Sequence, residues 1–164
     1  MKGSQQGCRS ECPGGADGTE RPDVASTLDA NQGAIAENAG LKPSILFVDD
    51  EAEIAEMEKQ ILENFGYRVM AITNGMEALK LFSSTPDAFD LVITDYVMPD
   101  RTGLDLAREL LSIRSDIPVI ICTGYSEHTI AENAGKLGIR SLLLKPYSTR
   151  EILEAIGMVL KECR

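Results

Sequence analysis

Four short apolar runs each end on a residue that can handle a phosphoryl group. Asp49-Asp50 follow Ile45-Leu46-Phe47-Val48, and Asp95 follows Leu91-Val92-Ile93-Thr94. Thr123 follows Val119-Ile120-Ile121-Cys122, and Lys145 follows Leu142-Leu143-Leu144. If the runs are neighbouring parallel strands, their carboxyl ends share one edge, and three carboxylates, a hydroxyl and an ammonium meet there. Two carboxylates about 4 Å apart repel by roughly 4 kcal/mol at an effective dielectric of 20. Lys145 offsets only part of this, so the cluster calls for a divalent cation or raised carboxyl pKa values. Oxygen ligands without histidine or thiol favour Mg²⁺, which takes one or two carboxylates, phosphate oxygens and water. A plainer role for Asp49 and Asp50 is capping the helix they precede. Capping leaves Asp95 unexplained, because Met98-Pro99-Asp100 separates it from the next helix, and it leaves Lys145 unexplained as well.

The elements that must position these residues are legible from periodicity. Apolar runs at 45–48, 68–72, 91–94, 118–122 and 141–144 read as strands, several continuous enough to be buried on both faces. Helical spacing recurs between them. Ile54, Met57, Ile61, Leu62 and Phe65 mark the first helix, stopped by Gly66. Ala78, Leu79 and Phe82 mark the second, closed by Pro86, and Leu106, Ala107, Leu110 and Leu111 the third. Ile130, Ala134 and Leu137 mark the fourth, and Ile152, Ile156, Val159 and Leu160 the fifth. Strict strand–helix alternation with right-handed crossovers gives an α/β fold, a parallel sheet covered on both faces. Five such units fit a flavodoxin-like three-layer (βα)5 arrangement with strand order 2-1-3-4-5. That order makes the first, third, fourth and fifth strands neighbours and sets the second aside, the one strand with no polar terminal group.

The remaining composition bounds the chain. Residues 1–40 hold seven of its 14 glycines and only Met1, Val24, Leu28 and Ile35 as large apolar side chains. Such a segment buries too little apolar surface to offset its ordering entropy and reads as a flexible extension ahead of a domain over 41–164. The hexapeptide Ile-Ala-Glu-Asn-Ala-Gly occurs at 35–40 and again at 130–135, far shorter than a structural repeat. A formal charge of −10 argues against nucleic-acid and anionic-membrane partners. No apolar run suits a membrane span or a secretory signal, so a cytoplasmic setting is the expectation. Cys8-x3-Cys12 lacks a second Cys/His pair to complete four ligands, Cys122 reads as a core hydrophobe, and His128 as a solvated helix residue.

Together the residues resemble the receiver domains of two-component response regulators over residues 44–162. The elements are Val48-Asp49-Asp50-Glu51, Thr94-Asp95-Tyr96-Val97-Met98-Pro99 with Gly103, Thr123-Gly124 and Lys145-Pro146. Their order and the intervals 50 to 95, 95 to 123 and 123 to 145 make the set specific. The resemblance implies that Asp95 accepts a phosphoryl group from a histidine kinase or a histidine phosphotransfer protein, giving an aspartyl phosphate. It implies Mg²⁺ held by Asp50, Asp95 and the Val97 backbone carbonyl, with Asp49 acting through water. Lys145 and Thr123 would each bind a phosphoryl oxygen, and the Lys145-Pro146 peptide would be cis. Gly124 would leave room for the phosphoryl group. The aromatic switch residue of many receivers is replaced by Leu142, so aromatic rotation is not the expected readout on the face of the fourth helix, fifth strand and fifth helix. Val97 and Tyr125 flank the expected acceptor and hydroxyl positions and are bulky enough to hinder hydrolytic water.

The resemblance makes the chain a phosphoacceptor with at most slow autophosphatase activity, not an enzyme in the usual sense. A downstream protein is the expected target, with phosphorylation-linked homodimerisation as a second outcome. The opening Met1 favours a stand-alone single-domain regulator; the wording around Asp116-Ile117-Pro118 and Thr123-Gly124-Tyr125-Ser126 resembles receivers fused to hybrid histidine kinases. A haloacid-dehalogenase-type phosphatase also uses a strand-end aspartate and Mg²⁺. It wants an aspartate two positions on, where this chain has Glu51.

Overall fold

The computed structural model describes residues 42–124 and 128–162. The extension, Cys8 and Cys12, the first hexapeptide copy and Tyr125 lie outside that range, as does the side chain of His128. Five strands, β1 (Ser44–Val48), β2 (Arg68–Ile72), β3 (Leu91–Asp95), β4 (Val119–Thr123) and β5 (Ser141–Leu144), form one parallel sheet in the order β2-β1-β3-β4-β5. The crossovers are α1 (Ala52–Asn64), α2 (Gly75–Ser84), α3 (Gly103–Ile113) and α4 (His128–Leu137), and α5 (Thr149–Glu162) follows β5. The flavodoxin-like α/β architecture and strand order are those expected from the alternation.

Pleating sorts the strand residues into two cores. Ile45, Phe47, Leu91, Ile93, Ile120, Cys122 and Leu143 face α1 and α5, meeting Ala55, Leu62, Ile152, Ile156 and Val159. Leu46, Val48, Val92, Val119 and Ile121 face α2, α3 and α4, meeting Ala78, Phe82, Leu106, Leu110 and Ala134. All five residues of β1 are buried, whereas edge strand β2 leaves Arg68 and Met70 exposed. Each fully buried Leu, Ile or Phe contributes about 1.5–3 kcal/mol, so the central strands carry most of the stability. β4 begins one residue later than the apolar run. Pro118 has no N–H to give the ladder, but its carbonyl still accepts from Val92 N at 3.0 Å.

Helix boundaries follow local chemistry. Gly66, at φ +92°, takes the left-handed conformation just past α1. The Asn74 side chain accepts from Met76 N and Glu77 N to cap α2, and Thr102 accepts from Asp105 N to cap α3. One expectation for α1 is corrected. Its buried stripe is Ala55, Glu58 and Leu62, while Met57 and Phe65 are about half exposed. Two stripes one residue apart share the same helical spacing, and the helix turns the one with the smaller residues to the sheet.

Candidate functional site

Strand register builds the site. Phe47 pairs with Ile93 and Asp95 with Cys122, so the inward-facing series 45-47-49, 91-93-95, 120-122 and 143-145 all point to the α1/α5 side. Asp49, Asp95 and Lys145 each stand one pleat beyond the last apolar residue of their row. The Lys145 ammonium sits between the two carboxylates, 3.0 Å from Asp49 Oδ2 and 2.8 Å from Asp95 Oδ1. The other oxygen of each carboxylate accepts a backbone N–H two residues on: Glu51 N to Asp49 Oδ1 at 3.0 Å, and Val97 N to Asp95 Oδ2 at 3.1 Å. Asp49 therefore shapes the turn into α1 and faces Lys145. Glu51, the N-cap residue, makes no side-chain cap.

Of the three strand-end carboxylates, Asp49 and Asp95 meet at the Lys145 ammonium. Asp50 follows Asp49 by one pleat step and is exposed. Among the described residues no three acidic, histidine or cysteine side chains form a metal-ligating group. A cation here would be held by one or two carboxylates, a backbone carbonyl and water, which fits Mg²⁺ and neither Zn²⁺ nor an all-protein Ca²⁺ cage. Val97 turns away from β3 in an antiparallel bridge to Thr102 and is 55% exposed.

Thr123 ends β4, buried, and its carbonyl accepts from Lys145 N at 2.8 Å, tying the hydroxyl-bearing strand end to the lysine. A Cβ at Gly124 would meet nothing within 4 Å, so the space beside Thr123 is open. The Lys145-Pro146 peptide is cis, as expected. Leu142 is half-buried against the α2/α3/α4 core. Burial pulls the Lys145 pKa down, but the hydrogen bonds and charges of Asp95 and Asp49 outweigh it and hold the ammonium above the ordinary lysine value.

Three features beside the site were given no structural role by the sequence reading. A Cβ on Gly103 would overlap the carbonyl oxygen of Asp95, so only glycine lets α3 start against the acceptor strand. Glu58 is buried on α1, and burial raises its pKa although the Tyr147 hydroxyl and the Lys145 charge work the other way. Tyr147 packs into the same core beside Cys122, whose thiol burial pushes up to about 12. A charged residue on the inward stripe of α1 was the available signal. It was hidden because the larger apolar residues marked the neighbouring stripe.

Comparison with known proteins agrees with this geometry. The family model described as response regulator receiver domain matches residues 45–157. The chain is 30% identical over 118 residues to the chemotaxis protein CheY of Thermotoga maritima, covering 71% of this chain and 97% of that protein. It is 36% identical over 109 residues to the response regulator SaeR of Staphylococcus epidermidis, covering 66% of this chain but 46% of SaeR. The structure of response regulator protein TrrA from Thermotoga maritima, in complex with Mg²⁺-BeF, superposes with a TM-score of 0.64 at 33% identity. It covers 71% of this chain and 98% of that one. No helix among the described residues is long and apolar enough to cross a membrane.

Proposed function

This chain belongs to the response regulator receiver domain family, and from that membership we propose that it is the phosphoacceptor of a two-component phosphorelay, with Asp95 as the acceptor. The observation that carries the proposal is the Lys145 ammonium bonded at once to Asp49 and Asp95. Of that pair Asp95 is the more accessible, 12% exposed against 2% for Asp49.

An Asp95 carboxylate oxygen attacks the phosphorus of a kinase or phosphotransfer-protein phosphohistidine in line. The new O–P bond forms as the P–N bond breaks, and the imidazole leaves with the electron pair. Lys145 already stands 2.8 Å from Asp95 and moves from carboxylate to phosphoryl oxygen as charge is transferred. The Thr123 hydroxyl donates to a second phosphoryl oxygen, using the space left by Gly124. Asp50, Asp95 and the Val97 carbonyl would hold Mg²⁺, with Asp49 acting through water, and the ion would supply charge neutralisation for phosphoryl transfer. The donor set and the Mg²⁺-BeF in the TrrA structure both support that assignment. Nothing in the site turns over a separate substrate, and hydrolysis of the acyl phosphate is slow, with the exposed Val97 side chain obstructing water. The readout is a changed surface around α4, β5 and α5 that binds a downstream protein in the cytoplasm.

Incubation with a small acyl phosphate and Mg²⁺, followed by intact-mass measurement, tests this. Wild type gains one phosphoryl group, whereas Asp95→Ala and a chelator-treated sample gain none. Equal labelling of Asp95→Ala removes the proposed acceptor.

A further inference from the structure

The loop from β3 to α3 ends in an arginine that folds inward. The Arg101 side chain is only 13% exposed and lies against the start of α2 and against α3. Its Nη2 donates to Met76 Sδ, Nη1 stands 3.2 Å from Glu109 Oε2, and Nε stands 3.8 Å from Asp100 Oδ2. The stem passes directly over Gly75, where a Cβ would come within 2.8 Å of Arg101 Cδ and 2.9 Å of Cγ. Asp100 docks at the same point, its Oδ2 accepting from Met76 N at 3.1 Å. Loop tip and helix start are fitted to each other, and the glycine supplies the room.

Stability does not account for this fit. Among the described residues, Arg101 Nε and Nη1 are buried without a hydrogen-bond partner, so the two carboxylates answer the charge but not the geometry. Buried donors left unpaired are destabilising, and an unbranched apolar side chain would fill the same space without that penalty. What the arginine does provide is a fixed loop. Thr102, the next residue, pairs with Val97 in the isolated antiparallel bridge, and Gly103 N donates to Tyr96 O at 2.8 Å. At the base, Val97 N donates to Asp95 Oδ2 at 3.1 Å. Met98, 7% exposed, anchors the near arm of the loop, and Arg101 with Asp100 anchors the far arm. We infer that Arg101 is a positioning residue for Mg²⁺: by pinning the loop tip to α2 and α3 it holds, through the Thr102–Val97 bridge, the Val97 backbone whose carbonyl would ligate the ion. The inference rests on the Mg²⁺-dependent phosphoacceptor reading above and adds a residue that touches neither the ion nor the acceptor. Loosening the far arm leaves Asp50 and Asp95 in place, so metal affinity falls while the chemistry at saturating metal survives.

The test measures Mg²⁺ affinity of the whole, unphosphorylated chain by isothermal titration calorimetry, with acyl-phosphate labelling and urea unfolding on the same samples. Arg101→Met keeps an unbranched stem and loses the guanidinium. Gly75→Ala leaves the arginine intact and pushes its stem off α2. Outer contacts of a metal site are worth about 10- to 100-fold in affinity, and Arg101 acts one step farther out, so each variant should bind Mg²⁺ roughly fivefold more weakly. Labelling at saturating Mg²⁺ should stay within about threefold of wild type. Val159→Ala, which opens a cavity in the core on the other face of the sheet, controls for general loosening and should bind Mg²⁺ as wild type does. Wild-type affinity in Arg101→Met overturns the inference and leaves the acceptor assignment standing, and so does an equal loss of affinity in Val159→Ala. A labelling rate at saturating Mg²⁺ that falls as far as the affinity also overturns it, since the arginine would then act on the chemistry and not on the metal. If Arg101→Met fails to fold, Gly75→Ala decides alone by the same criteria. A wild type that neither binds Mg²⁺ nor labels overturns both readings together.

Discussion

Removing the ammonium of Lys145 should expose how much of the fold depends on it. The lysine bonds Asp49 Oδ2 at 3.0 Å and Asp95 Oδ1 at 2.8 Å, so those oxygens are at most about 6 Å apart, and at an effective dielectric of 20 their repulsion is about 3 kcal/mol. In wild type the cation between them more than cancels this. In Lys145→Ala the repulsion stands, softened by water entering the space of a side chain that was 27% exposed. The expected loss of stability in metal-free buffer is about 2–3 kcal/mol, read as a lowered urea midpoint at unchanged slope. Mg²⁺ should then stabilise the variant more than it stabilises wild type, because a bound divalent ion meets two uncompensated carboxylates and no competing ammonium. The pH dependence has a definite sign. The Lys145 pKa is raised in the folded state, so its contribution is complete below the ordinary lysine value near 10.4 and fades only as pH climbs through the raised value. The gap between wild type and variant is therefore flat from pH 6 to 9. A variant within about 0.5 kcal/mol of wild type without metal, or one that gains no more from Mg²⁺ than wild type, would refute the idea that this lysine is the site's resident counter-charge.

Two further outcomes follow. Gly103→Ala places a methyl on the Asp95 carbonyl, and should cost more than about 2 kcal/mol in denaturant unfolding because the clash is with backbone and no rotamer relieves it. Glu58→Gln should stabilise the protein at neutral pH by about 1 kcal/mol, because it removes a carboxylate held in a mostly apolar wall. The Glu58 pKa is raised, so its folded form favours the proton. The penalty is greatest above the raised value and shrinks as pH falls through it, and thermal melts of the pair should converge toward acid pH.

The sheet was legible because buried parallel strands are written as uninterrupted apolar runs, and the residue closing each run falls at the strand's carboxyl end by construction. Asp49, Asp95 and Lys145 could be brought together from that rule alone. Two readings were not available. Asp50 is chemically identical to Asp49, and only the pleat decides which carboxylate faces Lys145 and which faces water. On α1 the stripe 54-57-61-65 and the stripe 55-58-62 have the same period, and size favoured the wrong one. Met57 and Phe65 are about half exposed, whereas Ala55 and Leu62, the latter alone among the marked residues fully buried, pack into the core. Glu58 lies on the stripe that side-chain size did not pick out, so its burial could not be anticipated.

The glycine that opens α3 also has a mechanical meaning. With Gly103 butted against the carbonyl of Asp95, the third strand is braced from behind, and under the proposed function its tip would have no room to recoil on phosphorylation. The opposite flank, where the Thr123 carbonyl accepts from Lys145 N and a bulky leucine is only half covered, is then the side left to yield. On the proposed function, an anchored acceptor beside a compliant neighbour would turn a local gain of charge into motion toward the fourth and fifth strands and away from the second.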